Sequence, residues 1–437
     1  MTIVKPSILP GFLELLPRDQ IVFDNLKEII ERNFKFYGFF PLDTPMIEKK
    51  EVLLAKENGE TTKQMYEIDS SSKDMVLRFD LTVPLSRYVA EHYHELEFPF
   101  RRYQISKVFR GERNQKGRFK EFYQADIDII GDNSLDIKND AEIPRVILSI
   151  LKDMNFDQIS FHINNRKLIN GFMKSLDIEN YDEVLRAIDK VKKMTKENFY
   201  SYLLELVKSN EKADSIIEFV SKDLENEEII DYLNSLEIDN EEFVQGLEEL
   251  KEVYKYMKIF GVDNEYIRID LSITRGLDYY TGTVYETFIK GFESIGSICS
   301  GGRYENLSGN FIERNLPGVG ISIGLSRLYY SLNELGLLNN EKNNNIDLII
   351  FSMGVSYEYP IKILNLLRSN NYKAQIYFED VKFKKKLNYA NKLGIPYVII
   401  IGDEELKENK VTFKNMQTGE QILCSSEELI TKLNDIL

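Results

Sequence analysis

Apolar residues recur on one face between positions 19 and 37, where Ile21, Leu26, Ile29, Ile30 and Phe34 align and Gly38 follows. That spacing predicts an amphipathic helix. FFPLDTPMIE after it is extended, because its prolines exclude a helix interior. MVLRF (75–79) reads as a strand, and Thr82 is the candidate cap of a helix carrying Pro84 in its first turn, where a missing N–H costs little. Residues 99–130 read as two strands joined by a polar loop around Gly111 to Gly117. From 170 to 260 the pattern turns helical, with two glycines and no proline, which predicts a helical insertion. TGTVYETFIKG and SIGSICSGG return to strand, and GVGISIGLSRLYYSLNEL runs from a glycine-rich strand into a helix. A polar, Asn-rich linker (334–345) follows. Beyond it IDLIIFSMG, AQIYFED and PYVIIIGD alternate with helical segments, as in a small α/β domain with a mostly parallel sheet.

With 437 residues and 43% hydrophobic content, the chain has material for two or three domains at roughly 150 residues each. No run of about 18 apolar residues predicts a membrane span. The opening MTIVKPSILPGFLELLP lacks a basic leader and is broken by prolines, so it is not read as a signal peptide. Cys299 and Cys424 are far apart and lack metal-ligand spacing, which fits a reducing cytoplasm rather than a disulfide framework or a zinc site.

Net charge is −15, which on its face argues against nucleic acid, whose binding depends on neutralising phosphate. Its distribution changes that picture. Residues 101–120 hold eight Lys and Arg against one Glu, a local +7, whereas 170–260 hold twelve basic and twenty-two acidic residues, a local −10. From 346 onward twelve of each balance.

Within the basic region, RFKEFYQADID (118–128) alternates as a strand does. One face carries Arg118, Lys120, Phe122, Gln124, Asp126 and Asp128; the other is core material apart from Glu121. Alternation alone leaves a solvated strand and a functional surface equally open. FRGE (109–112), a basic loop and R-x-x-x-F-x-x-x-D then decide it. Together they resemble the second signature motif of class II aminoacyl-tRNA synthetases, matched at Phe109, Arg110, Glu112, Arg118, Phe122 and Asp126. GVGISIGLSR (318–327) resembles the third motif, and FFPLDTPMIE, with Pro45, the loosely defined first. RGLDYYTGTVYE (275–286) and SGGRYENL (300–307) resemble the two histidine-specific motifs of the histidyl-tRNA synthetases. LRFDLTVPLSRY (77–88) resembles that family's histidine-entry segment, and NYANKLGIPYVIIIG (388–402) its anticodon-binding domain. The resemblance spans almost the whole chain and is weakest over 170–260.

The resemblance implies an α+β catalytic domain over 1–333, an antiparallel sheet flanked by helices with the 170–260 insertion. It implies an anticodon-binding α/β domain over 346–437. It implies ATP with Mg2+, L-histidine and tRNA(His) as substrates, a homodimer with the first motif at its interface, and no protein-only metal site. Activation brings the histidine carboxylate to the ATP α-phosphate, so positive charge there is the first need. By resemblance Arg110 and Arg275 are catalytic at that phosphate, Arg118 and Arg327 serve the outer phosphates, Phe122 and Arg327 sandwich adenine, and Glu112 sits at its amino edge. Arginine suits these places through its permanent charge and planar fork of donors. Histidine's ammonium falls to Asp80, Thr82 and Gln124 with Leu81 backbone, and its imidazole to Asp128 and Tyr280, with Tyr279 lining the pocket. In isolation the two tyrosines read first as core aromatics. A site that pairs both ring nitrogens discriminates without editing, so no editing domain is expected. Asp126 is read as a support or metal-side residue, and His92, His94 and His162 as structural. Arg113 to Lys116 are placed near the acceptor end of the tRNA. Lys190, Lys192, Lys193 and Lys196 are candidates for the stem, and Lys384, Lys385 and Lys386 for either the anticodon arm or a solvated helix face.

The rival reading is the related regulatory subunit of ATP phosphoribosyltransferase, which typically lacks the anticodon domain and an intact first histidine-specific motif. A synthetase-like sensor domain and a plain nucleotide-binding protein leave more of the chain without a role.

Overall fold

The computed structural model describes residues 3–54, 64–69, 74–111, 117–178, 181–189, 194–274, 280–338 and 345–436. They form two compact units, Met1–Glu14 with Leu26–Leu335 and Leu15–Asn25 with Gly336–Leu437. In chain order, helix α1 (Pro17–Phe36) leads to strands β1 (Phe40–Pro41) and β2 (Ile47–Lys49), helix α2 (Lys50–Leu54), strand β3 (Met75–Leu77) and helix α3 (Thr82–Glu91). The long strands β4 (Phe100–Phe109) and β5 (Glu121–Ile130) precede helix α4 (Lys138–Asp153) and strand β6 (Ile159–Asn165). The acidic segment is, in its described residues, a run of helices with short turns between them: α5 (Arg166–Ser175), α6 (Tyr181–Ile188), α7 (Lys196–Val207), α8 (Asn210–Val220), α9 (Asn226–Ser235) and α10 (Glu241–Ile259). Strands β7 (Ile267–Ile269), β8 (Thr283–Ile289), β9 (Cys299–Tyr304) and β10 (Gly318–Ile323) then run into helix α11 (Leu325–Glu334).

The first unit is built on a sheet of order β1-β4-β5-β10-β9-β8-β6-β7. Its six central strands are antiparallel, and β1 and β7 add parallel at the two edges. Antiparallel strands can carry an apolar face and a different second face, and this sheet does so. Ala125, Ile127 and Ile129 of β5 and Val319, Ile321 and Ile323 of β10 are buried, with α4 and α11 packed on the sheet. Arg303 of β9 forms a buried ion pair with Asp140 of α4, its Nη2 2.7 Å from Oδ1 and its Nε 3.0 Å from Oδ2. Tyr285 of β8 donates to the Asp140 carbonyl at 2.7 Å. These bonds hold β8 and β9 to α4.

Thr82 does not cap α3. Thr82 is already inside the helix, and the Asp80 carboxylate accepts from the Val83 backbone N–H at 3.1 Å instead. An aspartate two residues before the first helical residue reaches that orphan donor as well as a cap hydroxyl does.

In the second unit the elements are β11 (Leu348–Ser352), α12 (Glu358–Ser369), β12 (Ala374–Tyr377), α13 (Phe383–Leu393), β13 (Tyr397–Ile401), α14 (Asp403–Glu408), β14 (Lys410–Asn415), β15 (Gln421–Ser425) and α15 (Ser426–Ile436). The sheet order is β12-β11-β13-β14-β15. The three apolar strands predicted from the sequence are parallel, but β14 and β15 add antiparallel, so the sheet is mixed rather than mostly parallel. Lys384 and Lys385 are exposed on α13, whereas Lys386 is buried and donates to the Ser352 carbonyl at 2.8 Å. The lysine run is therefore not one solvated face.

Asp140→Ala should destabilise the protein by about 3–5 kcal/mol in urea denaturation, because it strands a buried guanidinium. A second change, Arg303→Met, should recover much of that loss. A loss below about 1 kcal/mol would contradict the burial of this pair.

Candidate active site

The face of the sheet opposite Ile127 and Ile129 collects polar side chains in rows set by strand register. One row crosses Arg102 of β4, Asp128 of β5, Gly320 of β10 and Gly302 of β9. The next crosses Gln104, Asp126, Ser322, Ser300 and Glu286. Gln124 lies two residues before Asp126 on the same face. The glycines make room for the side chains beside them. A Cβ on Gly320 would sit 2.2 Å from Asp128 Oδ1, and one on Gly302 would sit 2.9 Å from the Tyr280 ring. The floor is thus two glycines, with Asp128 against one and Tyr280 against the other.

Asp128 is buried and doubly bonded. Arg102 Nη2 lies 2.6 Å from its Oδ2, and the Tyr304 hydroxyl donates to Oδ1 at 3.0 Å. Gln124 Nε2 donates to Ser322 Oγ at 2.6 Å, which turns the amide so that its Oε1 is buried without a partner among the described residues. Asp80 Oδ2 and Asp126 Oδ1 are likewise buried and unpartnered there. The site therefore offers several acceptors with unused capacity, the chemistry needed to receive N–H donors.

Burial dominates the titration of these acids. It raises Asp80 from 3.8 to about 6 against the lowering effects of the Val83 N–H, Arg110 and Arg102. It raises Asp126 to about 7, against Arg102 and a Ser322 hydrogen bond. Burial also pushes Asp128 up, opposed by Arg102 and Tyr304. Taking a carboxylate out of water disfavours its charged form, and only a nearby cation or donor restores it.

At the other end of β5, Arg110 donates from Nε to the Phe79 carbonyl at 2.9 Å, and its guanidinium lies 5.2 Å from the Phe122 ring centroid. Arg327 of α11 donates from Nη2 to the Ile295 carbonyl, and its stem lies beside Gly117, next to Arg118. Arg110 and Phe122 are thus brought together, as are Arg327 and the approach to Arg118. Asp80, Leu81 and Thr82 form the turn into α3, and Arg102 Nη2 reaches the Leu81 carbonyl at 3.4 Å. Glu112, Arg275 and Tyr279 lie outside the described residues, as do Arg113 to Lys116 and Lys190, Lys192 and Lys193. Lys196 is exposed at the start of α7.

Sequence reasoning missed Arg102, Tyr304 and Ser322. A signal for the first was present, since Arg102, Gln104 and Ser106 alternate with Tyr103 and Ile105, but only register reveals which carboxylate Arg102 faces. His162 is a buried partner of Asp270 at 2.8 Å, consistent with a structural part. No group of three or more His, Cys, Asp or Glu among the described residues is placed to hold a metal.

A family model described as histidyl-tRNA synthetase matches residues 11–328, and an anticodon binding domain model matches 346–436. The chain belongs to the histidyl-tRNA synthetase family. A histidine–tRNA ligase of Clostridium tetani is 53% identical over 98% of both chains, and one of Finegoldia magna is 51% identical over 98% of this chain and all of that one. The crystal structure of histidyl-tRNA synthetase from a Nostoc species superposes with a TM-score of 0.90 at 36% identity, covering 100% of both chains. A Bacillus halodurans structure titled as an ATP phosphoribosyltransferase regulatory subunit/histidyl-tRNA synthetase shares the fold, with a TM-score of 0.75 at 21% identity, over 92% of this chain and 100% of that one. The expected fold is therefore the observed one: a class II catalytic unit with an antiparallel sheet and helices, followed by an anticodon-binding domain.

Asp126 gives a pH test of this site in the unliganded protein. Its folded value of about 7 lies above the ordinary 3.8, so its protonated form stabilises the fold. That contribution is complete below pH 3.8 and is lost as pH rises through about 7. Asp126→Asn should therefore raise the thermal midpoint by a few degrees at pH 8 relative to the parent, and by much less at pH 5. An equal gain at both pH values would contradict an ionising Asp126.

Proposed function

We propose that this chain is a histidine–tRNA ligase, which joins histidine to ATP as histidyl-adenylate and then transfers it to the 3′ end of tRNA(His). The observation that carries the reading is the set of buried acceptors formed by Gln124 and Asp128 on the polar sheet face and Asp80 in the turn before α3, in a chain related over nearly its whole length to histidine–tRNA ligases. Histidine brings an ammonium and an imidazole N–H. Asp80 and Gln124, with Thr82 and the Leu81 backbone, receive the ammonium, and Asp128 with Tyr280 receives the ring, with Tyr279 beside it.

Chemistry follows in two steps. The histidine carboxylate oxygen bonds to the ATP α-phosphorus as the bond to the bridging oxygen breaks, and pyrophosphate leaves. The terminal tRNA ribose hydroxyl then attacks the activated carbonyl and AMP leaves. ATP enters as its Mg2+ complex, the metal arriving with the substrate. Arg110 and Arg275 hold the α-phosphate and the charge that develops there. Arg118 and Arg327 take the outer phosphates, Phe122 and Arg327 stack on adenine, and Glu112 meets its amino edge. Residues 1–333 act as the catalytic domain, carrying the 170–260 insertion, and 346–437 as the anticodon-binding domain. The segment between β4 and β5, residues 110–120, holds five Lys and Arg against one Glu and supplies charge that tRNA phosphate requires in a protein of net charge −15.

The reading extends to a homodimer and to the cytoplasm. Phe40, Met46 and Ile47 are exposed along the extended segment around Pro45, an apolar edge suited to a second copy. Cys299 and Cys424 are free and buried, which suits a reducing compartment. No described helix is long and apolar enough to cross a membrane.

Histidine-dependent exchange of pyrophosphate into ATP tests the activity directly: exchange is expected, and its absence in folded protein with magnesium would overturn the proposal. Asp128→Ala should raise the histidine KM by roughly 10²-fold and leave the ATP KM within about twofold. An unchanged histidine KM would remove Asp128 from the pocket. Arg110→Ala should cut the activation kcat by roughly 10²- to 10³-fold, read in the same exchange assay. A kcat within about threefold of the parent would refute its assignment to the phosphate.

A further inference from the structure

Arg102 is fully buried on β4, and none of the roles set out above uses it. Its position is specific. Register places it directly opposite Asp128, and one terminal nitrogen, Nη2, serves both the Asp128 carboxylate at 2.6 Å and the Leu81 carbonyl at 3.4 Å. Nε and Nη1 are buried with no partner among the described residues. A guanidinium carries five donors, and leaving two nitrogens unbonded in the interior is costly unless its charge is needed.

The surroundings supply that need. Asp128 and Asp126 of β5 and Asp80 before α3 are all buried, which raises each of them, and Arg102 opposes that rise in all three across space. Tyr304 of β9 faces Asp128 from the other side. Two further cations lie near. Arg110 acts on Asp80. Arg78 is buried and feels Asp80 and Asp126, but it donates to the carbonyls of Lys107 and Thr44 and to Ser106. Arg102 alone among these cations is in ion-pair contact with Asp128.

We infer that Arg102 is a positioning residue for amino-acid selection: its buried guanidinium keeps Asp128 ionised and aimed, and ties it to the Asp80–Thr82 turn, so one cation sets both ends of the histidine site. The inference rests on the reading of this pocket as the histidine site. An ionised Asp128 only accepts hydrogen bonds, so it demands a donor N–H from the substrate ring. A protonated Asp128 would offer a donor of its own and blur that demand. Arg102 therefore acts on selectivity through Asp128, without touching the substrate.

The test compares the full-length protein with Arg102→Gln, measuring histidine and ATP KM by pyrophosphate exchange between pH 6 and 8.5. Taking the variant-to-parent ratio at each pH cancels the titration of histidine itself. At pH 7 the histidine KM should rise roughly tenfold or more, with the ATP KM within about twofold. The ratio should fall as pH rises, because without its cation Asp128 ionises only at higher pH. Arg102→Lys restores the charge but not the fork, so its ratio should be smaller and flat with pH. A ratio below about twofold, a ratio independent of pH in Arg102→Gln, or an equal rise in ATP KM would each overturn the inference. If Arg102→Gln does not fold, Arg102→Lys decides: a few-fold rise in histidine KM alone supports the role, and an unchanged one refutes it. Should Asp128→Ala also leave the histidine KM unchanged, the histidine reading itself falls; if only Arg102 proves silent, that reading stands.

Discussion

Three buried carboxylates, two on one face of a sheet and one in the turn before α3, are the constraint around which this molecule is arranged. Asp80, Asp126 and Asp128 are each nearly inaccessible, and burial raises all three, Asp80 to about 6 and Asp126 to about 7. Such groups cost free energy in an empty protein and are tolerable only where cations and donors surround them. Arg102 and Tyr304 do this for Asp128, while Asp80 spends one oxygen on the start of α3. The residual acceptor capacity is what a cationic, donor-rich substrate would complete. Recognition and stability are thus set by the same charges, and they pull in opposite directions as pH changes.

The rest of the first unit serves that face. An antiparallel sheet allows one face to be core and the other to be charged, and the core side is secured by α4 through Asp140, Arg303 and Tyr285. Gly302 and Gly320 keep the floor low enough for Tyr280 and Asp128 to lie against it. Arg110 and Phe122 occupy the same strand hairpin a few residues away. One hairpin therefore presents a cationic, aromatic end and a carboxylate end, matching a substrate pair that is polyanionic at one end and an ammonium and imidazole at the other.

Much of this was legible in the chain. Periodicity located α1, the β4–β5 hairpin, the helical insertion and the strand-to-helix passage at β10–α11, because each has a long and regular burial pattern. The alternation of Phe122, Gln124, Asp126 and Asp128 with core residues gave one face of the site. What escaped depends on register and on partners distant in sequence. Arg102 and Asp128 are twenty-six positions apart, and only pairing of β4 with β5 sets them opposite. Tyr304 reaches Asp128 from a strand 176 residues away. The helix start at Thr82 was misread because an Asp two positions earlier does the capping. The buried Lys386 was invisible because a lysine run signals solvent until helix packing is known. The antiparallel pair β14–β15 was passed over although Val411 and Phe413 of β14 alternate with Lys410, Thr412 and Lys414 as a short strand does.

On the proposed function, the buried acceptors Asp80, Gln124 and Asp128 recognise histidine by pairing its imidazole as well as its ammonium. Calorimetric titration of the protein with histidine, and with histidine methylated at either ring nitrogen, tests it most directly. Histidine should bind, and methylation at either nitrogen should weaken binding by roughly 10²-fold or more, since a blocked nitrogen leaves a buried polar group unpaired. Equal binding of histidine and both methylated forms would contradict it.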